Sequence, residues 1–172
     1  MTTIYLSLGS NIGDRAANIA RAIAALAPRG VRVTRESSLY ETEPVDFREQ
    51  DWFLNCVVEA ETDLAPAELM DALLDVERSL GRVRGAPNGP RLIDMDILLF
   101  GSGIVRAPGL EIPHPRMAER RFVLVPFNEI APRAWHPVLE KTIGELLDLT
   151  HDRSEVRKTA FQAERDSSPR SE

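Results

Sequence analysis

The chain has 172 residues, 43% of them hydrophobic, with 21 Lys and Arg against 27 Asp and Glu and a formal net charge of −6. That length buries an ordinary core in one domain without staples, and the acidic balance argues against a nucleic-acid coat or a polybasic membrane binder. No apolar run approaches the roughly 20 residues that span a bilayer, no signal peptide is visible before the first strand pattern, so none is expected, and the lone Cys56 excludes an internal disulfide and reads as core; a cytoplasmic monomer is expected.

In chain order, residues 4–8 read as a strand and Gly9-Ser10-Asn11-Ile12-Gly13 as a turn. Asp14 can cap a helix over residues 14–27, whose apolar positions Ile19, Ala20, Ile23, Ala24 and Leu26 fall mostly at helical spacing. Residues 31–40 and 53–60 read as strands two and three, joined by a polar, Pro-containing loop at 43–51. Pro66 opens a second helix that stops at Gly81. A fourth strand carries Asp94 and Asp96. This β-α-β-β-α-β order predicts an α+β, ferredoxin-like sandwich, an antiparallel sheet with helices packed on its faces. C-terminal additions follow: a short strand at 122–125, a turn of helix at 126–130 and a helix at 142–149. Residues 1–151 form the expected single domain, and 152–172, charged and Ser-rich, the expected flexible tail.

Two features carry chemistry. Side chains at i and i+2 of a strand share a face, roughly 7 Å apart, so Asp94 and Asp96 lie side by side with Leu92 and Leu98, while Ile93, Met95, Ile97 and Leu99 fill the other face. Like charges among apolar neighbours call for a cation between them, and Mg²⁺ fits because it takes one or two protein carboxylates and completes its shell with water and phosphates. Against that stands a plain polar strand face turned to water. Arginines crowd the same stretch: Arg82, Arg84 and Arg91 before the pair, Arg116, Arg120 and Arg121 after it. Guanidinium forks hold phosphate oxygens, so carboxylates and arginines together suggest a metal–nucleotide site.

On the second helix Leu69, Met70, Leu73, Val76 and Leu80 form an apolar stripe, and Glu77 falls inside it. Structural support is its first reading, substrate contact its second. The chain has neither a G-x-x-x-x-G-K-[ST] loop nor a G-x-G-x-x-G turn. His114, His136 and His151 lack metal-ligand spacing, and no nucleophile triad is visible.

Tyr5-Leu6-Ser7-Leu8-Gly9-Ser10-Asn11, Phe53-Leu54-Asn55, Gly89-Pro90-Arg91 running through Asp94-Met95-Asp96-Ile97, and Pro113-His114 with Arg120 and Phe122 closely resemble the 6-hydroxymethyl-7,8-dihydropterin pyrophosphokinase family of the folate pathway. The resemblance covers residues 3–135 in order. It implies transfer of pyrophosphate from ATP to the pterin's hydroxymethyl group, with release of AMP. It implies that Asp94 and Asp96 hold two Mg²⁺ ions around the triphosphate, and that Arg82 and Arg91 act with them in catalysis. Glu77, Arg82, Arg84, Arg91, Ile97, His114 and Arg120 match ATP-side positions, with Arg84 on a mobile loop. Asn55 matches the side chain that hydrogen-bonds the pterin, Phe53 and Phe122 the rings that sandwich it, and Thr42, Val45 and Asp94 its remaining contacts. The loop at 85–88, Gly-Ala-Pro-Asn, is one residue shorter than in family members that carry a tryptophan there. Pro115 stands where a tyrosine is common, and Leu74 where a polar residue faces ATP. These departures bear on loop closure and nucleotide affinity. A kinase moving only the γ-phosphoryl group, or a non-catalytic nucleotide-binding module on the same fold, are the alternatives.

Overall fold

The computed structural model describes residues 1–44, 51–81 and 92–159. Val45, Arg82, Arg84, Arg91 and the loop at 85–88 lie outside the described residues, as do residues 160–172.

The first strand, β1 (Thr2–Ser10), runs two residues further than its pattern predicts, so Gly9 lies within the sheet. Helix α1 (Arg15–Ala24) follows, its Ala17 N–H donating to the Asp14 side chain as the cap requires. The predicted second strand is two pieces, β2 (Val31–Glu36) and β3 (Tyr40–Thr42), both antiparallel to β4 (Phe53–Thr62). Helix α2 (Pro66–Ser79) leads to β5 (Asp94–Phe100). Among the described residues the sheet has six strands, and its path, with β10 (Val156–Lys158) at one edge, is β10-β3-β4-β1-β5, with β2 also on β4. Counting β2 and β3 as one split strand, the inner order is that of a ferredoxin-like sandwich.

Alternation along the strands divides the core. Ile4, Leu6 and Leu8 of β1, with Cys56, Val58 and Ala60 of β4, pack under α1 and α2. On the opposite face Val57, Leu98 and Leu99 pack under α3 (Arg121–Ile130) and α4 (Ile143–Leu149). Leu99 was expected beside Ile97. A register shift between Tyr5 and Leu6 leaves one residue of β5 unmatched, which turns Leu99 onto the Leu98 face. Between β5 and α3 lies the hairpin of β6 (Val105–Ala107) and β7 (Leu110–Ile112), and between α3 and α4 the short pair β8 (Trp135–His136) and β9 (Lys141–Thr142).

Two expectations change here. Residues 122–125 are not a strand: they belong to α3, which continues through Pro126. Val123, Leu124, Phe127 and Ile130 lie at helical spacing and are all buried against the sheet, and that burial outweighs the strand preference of the run. The frayed tail expected from 152 onward is also corrected for 152–159, because β10 pairs with β3 along Val156–Thr42, Arg157–Glu41 and Lys158–Tyr40. A strand joining a sheet edge needs only backbone partners, so a polar composition does not prevent it. No helix among the described residues is long and apolar enough to cross a membrane.

Candidate functional site

The α3 face of the sheet, at its β1 C-terminal end, gathers most of the expected site residues that are described. Residues opposite one another in a ladder share a face. Tyr40 pairs with Asn55, Asn55 with Gly9 and Gly9 with Asp94, which makes one row across β3, β4, β1 and β5. Thr42 pairs with Phe53 in the next row towards the strand ends. Asp96 pairs with Ser7, and Ser7 with Val57, in the row behind. Asn55 and Asp94 sit two strands apart, about 10 Å at the usual strand spacing. A flat ligand lying on the sheet can therefore touch the amide at one end and the carboxylates at the other.

Asn55 is 5% exposed, and its Nδ2 donates to Thr42 Oγ1 at 2.5 Å. Thr42 is itself buried, so the amide is held in one orientation by a partner with no freedom to leave. Gly9 is what makes room for it. A Cβ at Gly9 would lie 2.4 Å from Asn55 Oδ1 and 3.6 Å from Phe53 Cδ1. The sequence marks Gly9 only as part of a turn; its function as a floor beneath Asn55 comes from β4, which lies 46 positions away in the chain.

Asp94 and Asp96 are half-buried, with the Asp96 side chain 40% exposed. Among the described residues no three His, Cys, Asp or Glu side chains form a metal-holding group. Two carboxylates alone suit a hard divalent cation that draws its other ligands from water and substrate phosphates, so the donor set fits Mg²⁺. The strand between them is fixed from the side: Glu77 of α2, 3% exposed, accepts a hydrogen bond from Met95 N–H at 3.0 Å. Because β5 is the sheet's edge, that N–H points away from β1 toward the helix. This matches the support reading of Glu77.

His114 stands across from the carboxylates, its Nε2 4.0 Å from Asp96 Oδ2. Its Nδ1 accepts from Arg116 N–H at 3.1 Å, which leaves the ring proton on Nε2. Burial pushes its pKa down to about 4, Arg120 and Arg116 push the same way, and Asp94 opposes them. At neutral pH the ring is an uncharged donor turned toward the carboxylates. Arg120 is half-buried with its guanidinium 5.5 Å from the Phe122 ring centre, and Phe122 lies in the first turn of α3. Ile97 does not join this face: it is buried beneath the helices of the other layer.

The family model for 7,8-dihydro-6-hydroxymethylpterin-pyrophosphokinase (HPPK) matches residues 5–132. The 2-amino-4-hydroxy-6-hydroxymethyldihydropteridine pyrophosphokinase of Methylorubrum extorquens is 48% identical over 133 residues, 77% of this chain and 84% of that protein. The enzyme of the same name from Bacillus subtilis is 48% identical over 127 residues, 73% of this chain and 76% of the relative. The folic acid synthesis protein FOL1 of Dictyostelium discoideum is 41% identical over 143 residues, 83% of this chain but 22% of the longer protein. The chain thus spans about a fifth of that relative's length. Among solved structures, wild-type Plasmodium falciparum HPPK-DHPS superposes with a TM-score of 0.67 at 16% identity, over 86% of this chain and 44% of that one. That likeness bears on the fold.

Proposed function

From the premise that the chain belongs to the 7,8-dihydro-6-hydroxymethylpterin-pyrophosphokinase family, we propose that it transfers pyrophosphate from ATP to the hydroxymethyl group of 6-hydroxymethyl-7,8-dihydropterin, releasing AMP. The observation that carries this reading is the row Asn55–Gly9–Asp94, which puts a fixed amide and a carboxylate pair on one face about 10 Å apart. The pterin's polar edge meets Asn55 and Thr42, Phe53 and Phe122 supply the stacking rings, and Val45 and Asp94 the remaining contacts. The hydroxymethyl end then reaches toward Asp94 and Asp96.

In the reaction the hydroxymethyl oxygen bonds to the β-phosphorus while the bond from that phosphorus to the bridging oxygen breaks, AMP leaves with that oxygen, and the hydroxyl proton passes to solvent water. Asp94 and Asp96 would hold two Mg²⁺ ions. Held there, they would supply positive charge against the negative charge that builds on the phosphate oxygens. Arg82, Arg84, Arg91 and Arg120 hold the triphosphate, and His114 donates its Nε2–H to a phosphate oxygen as a neutral group. Alignment of the two substrates supplies much of the rate, so the protein needs no strong general base.

The test mixes purified protein, MgATP and 6-hydroxymethyl-7,8-dihydropterin and resolves the nucleotides by chromatography. AMP appearing in step with the pterin pyrophosphate is the expected outcome. ADP would mean an ordinary kinase on this scaffold, no turnover with metal-dependent ATP binding would mean that the substrate assignment or the short loop at 85–88 is at fault, and metal-independent binding would mean a non-catalytic module. Asp94→Asn and Asp96→Asn should each lower turnover by about a hundredfold or more with unchanged circular dichroism. Near wild-type turnover in either variant would refute the metal assignment.

A further inference from the structure

The segment after α4 is tied to both walls of the proposed pterin slot. At one end Arg121, the residue before Phe122, donates its N–H to Asp152 Oδ2 at 2.8 Å and its Nε–H to Ser154 O at 3.2 Å. Asp152 is kept in place by the Ser154 N–H, which donates to its Oδ1 at 2.8 Å. In the middle, Glu43 N–H donates to Glu155 O at 3.2 Å and Glu155 N–H to Glu43 Oε1 at 2.8 Å, after which Val156 pairs with Thr42. At the far end Arg157 stacks its guanidinium 4.8 Å from the ring centre of Trp52, the residue before Phe53. Trp52 is held from its other side too, its carbonyl accepting from Arg15 Nη1 at 3.0 Å.

Each of these anchor points is a chain neighbour of a residue assigned to the pterin: Arg121 beside Phe122, Glu43 beside Thr42, Trp52 beside Phe53. The segment lies wholly beyond residue 132, where the match to the family model stops. A stretch meant only to protect a sheet edge has no need to reach across to the start of α3. We propose that residues 152–158 form a strap that sets the spacing between the two walls of the pterin slot, with Asp152 and Arg157 as positioning residues that touch no substrate. The inference rests on the pyrophosphokinase reading for the identity of the slot's ligand. Other ties join α3 to the sheet, Ser38 to Glu129 and Arg35 to the Ile130 carbonyl, but they lie at the C-terminal end of α3, whereas the strap acts at its first turn, beside Phe122.

The experiment compares wild type with Asp152→Ala, Arg157→Ala and the conservative Asp152→Asn, which keeps an oxygen to accept the Arg121 N–H. Binding of 6-hydroxymethyl-7,8-dihydropterin and of a non-hydrolysable ATP analogue is measured by calorimetry, with thermal melts on each variant. Amide-proton exchange is followed in parallel across 40–42 and 53–55. The strap predicts a five- to tenfold loss of pterin affinity in both alanine variants, nucleotide affinity within about twofold of wild type, recovery in Asp152→Asn, and faster exchange in those two segments and at the strap's own anchors, with the rest of the sheet unchanged. Unchanged pterin affinity would overturn it, as would parallel loss of both affinities together with the melting temperature. A wild type that binds no pterin would refute the pyrophosphokinase reading; localised faster exchange in the variants would then still support the strap, and unchanged exchange would refute that as well.

Discussion

A methyl group is enough to probe the slot. The Cβ of an alanine at Gly9 would lie 2.4 Å from Asn55 Oδ1, far inside contact distance. Backbone surrounds both residues in the middle of the sheet, so the side chain must give way. Asn55 can rotate only by breaking its bond to Thr42 Oγ1, made within a buried pocket. Gly9→Ala should therefore weaken pterin binding by about tenfold or more and leave the ATP analogue within about twofold, at a stability cost of about 1–3 kcal/mol. Calorimetric titration of each ligand against the variant checks this; equal losses for both ligands would show general damage. Asp94 and Asp96 were legible in the sequence because spacing by two fixes a shared face whatever the sheet around it. The need for Gly9 was not, because it arises from Asn55 on a neighbouring strand and no local pattern records which strands will be neighbours.

Between elements, the contact that matters most for the carboxylates joins a helix to a strand edge. Glu77 accepts the Met95 N–H, and Met95 lies between the two aspartates. Glu77→Ala leaves that buried donor without its acceptor, a loss of about 1–3 kcal/mol, and lets the strand that carries both carboxylates shift. Glu77→Gln keeps an oxygen in place. A lower melting temperature and weaker Mg²⁺-dependent binding of the ATP analogue are thus expected for Ala, with Gln close to wild type. If the Glu77 charge instead met the nucleotide directly, both variants would lose affinity alike, and the same titrations would show it. The helical stripe made this residue legible as an outlier, since a carboxylate among Leu73, Val76 and Leu80 needs a partner; the partner's identity required the sheet order. Helix α3 departs from its local strand preference for a different reason. Its run of Phe122, Val123, Leu124 and Val125 favours a strand locally, and the spacing that continues to Phe127 and Ile130 is the signal that would have corrected it. His136 went unexplained in the sequence because its role is local: its buried Nδ1 accepts from Val138 and Leu139 N–H and shapes the turn between β8 and β9.

At the scale of the molecule one sheet is shared by two apolar layers. Leu73, 1% exposed, fills the layer under α1 and α2, and Phe127, fully buried, fills the layer under α3 and α4. Since β1, β4 and β5 contribute side chains to both, neither layer can melt and leave the other intact. Leu73→Ala should cost about 2–5 kcal/mol and Phe127→Ala about 3–5 kcal/mol. Each should shift a single unfolding transition, seen at the same denaturant concentration by circular dichroism and by tryptophan fluorescence. Separate transitions would mean the layers are independent. The fold class was legible because element order alone restricts the topology; the two-layer arrangement became visible only once the C-terminal helices had a face to occupy.

The register also has a consequence for how the protein is made. Tyr40, Thr42 and the start of β4 leave the ribosome early, yet their edge is completed by Val156, Arg157 and Lys158, more than a hundred residues later. Pairings of such separation form late and slowly. During synthesis the chain therefore passes through a period in which the α1 side of the sheet can assemble while β3 still presents a bare edge to other nascent chains. Protection of that edge and completion of the slot arrive together, with the last described strand.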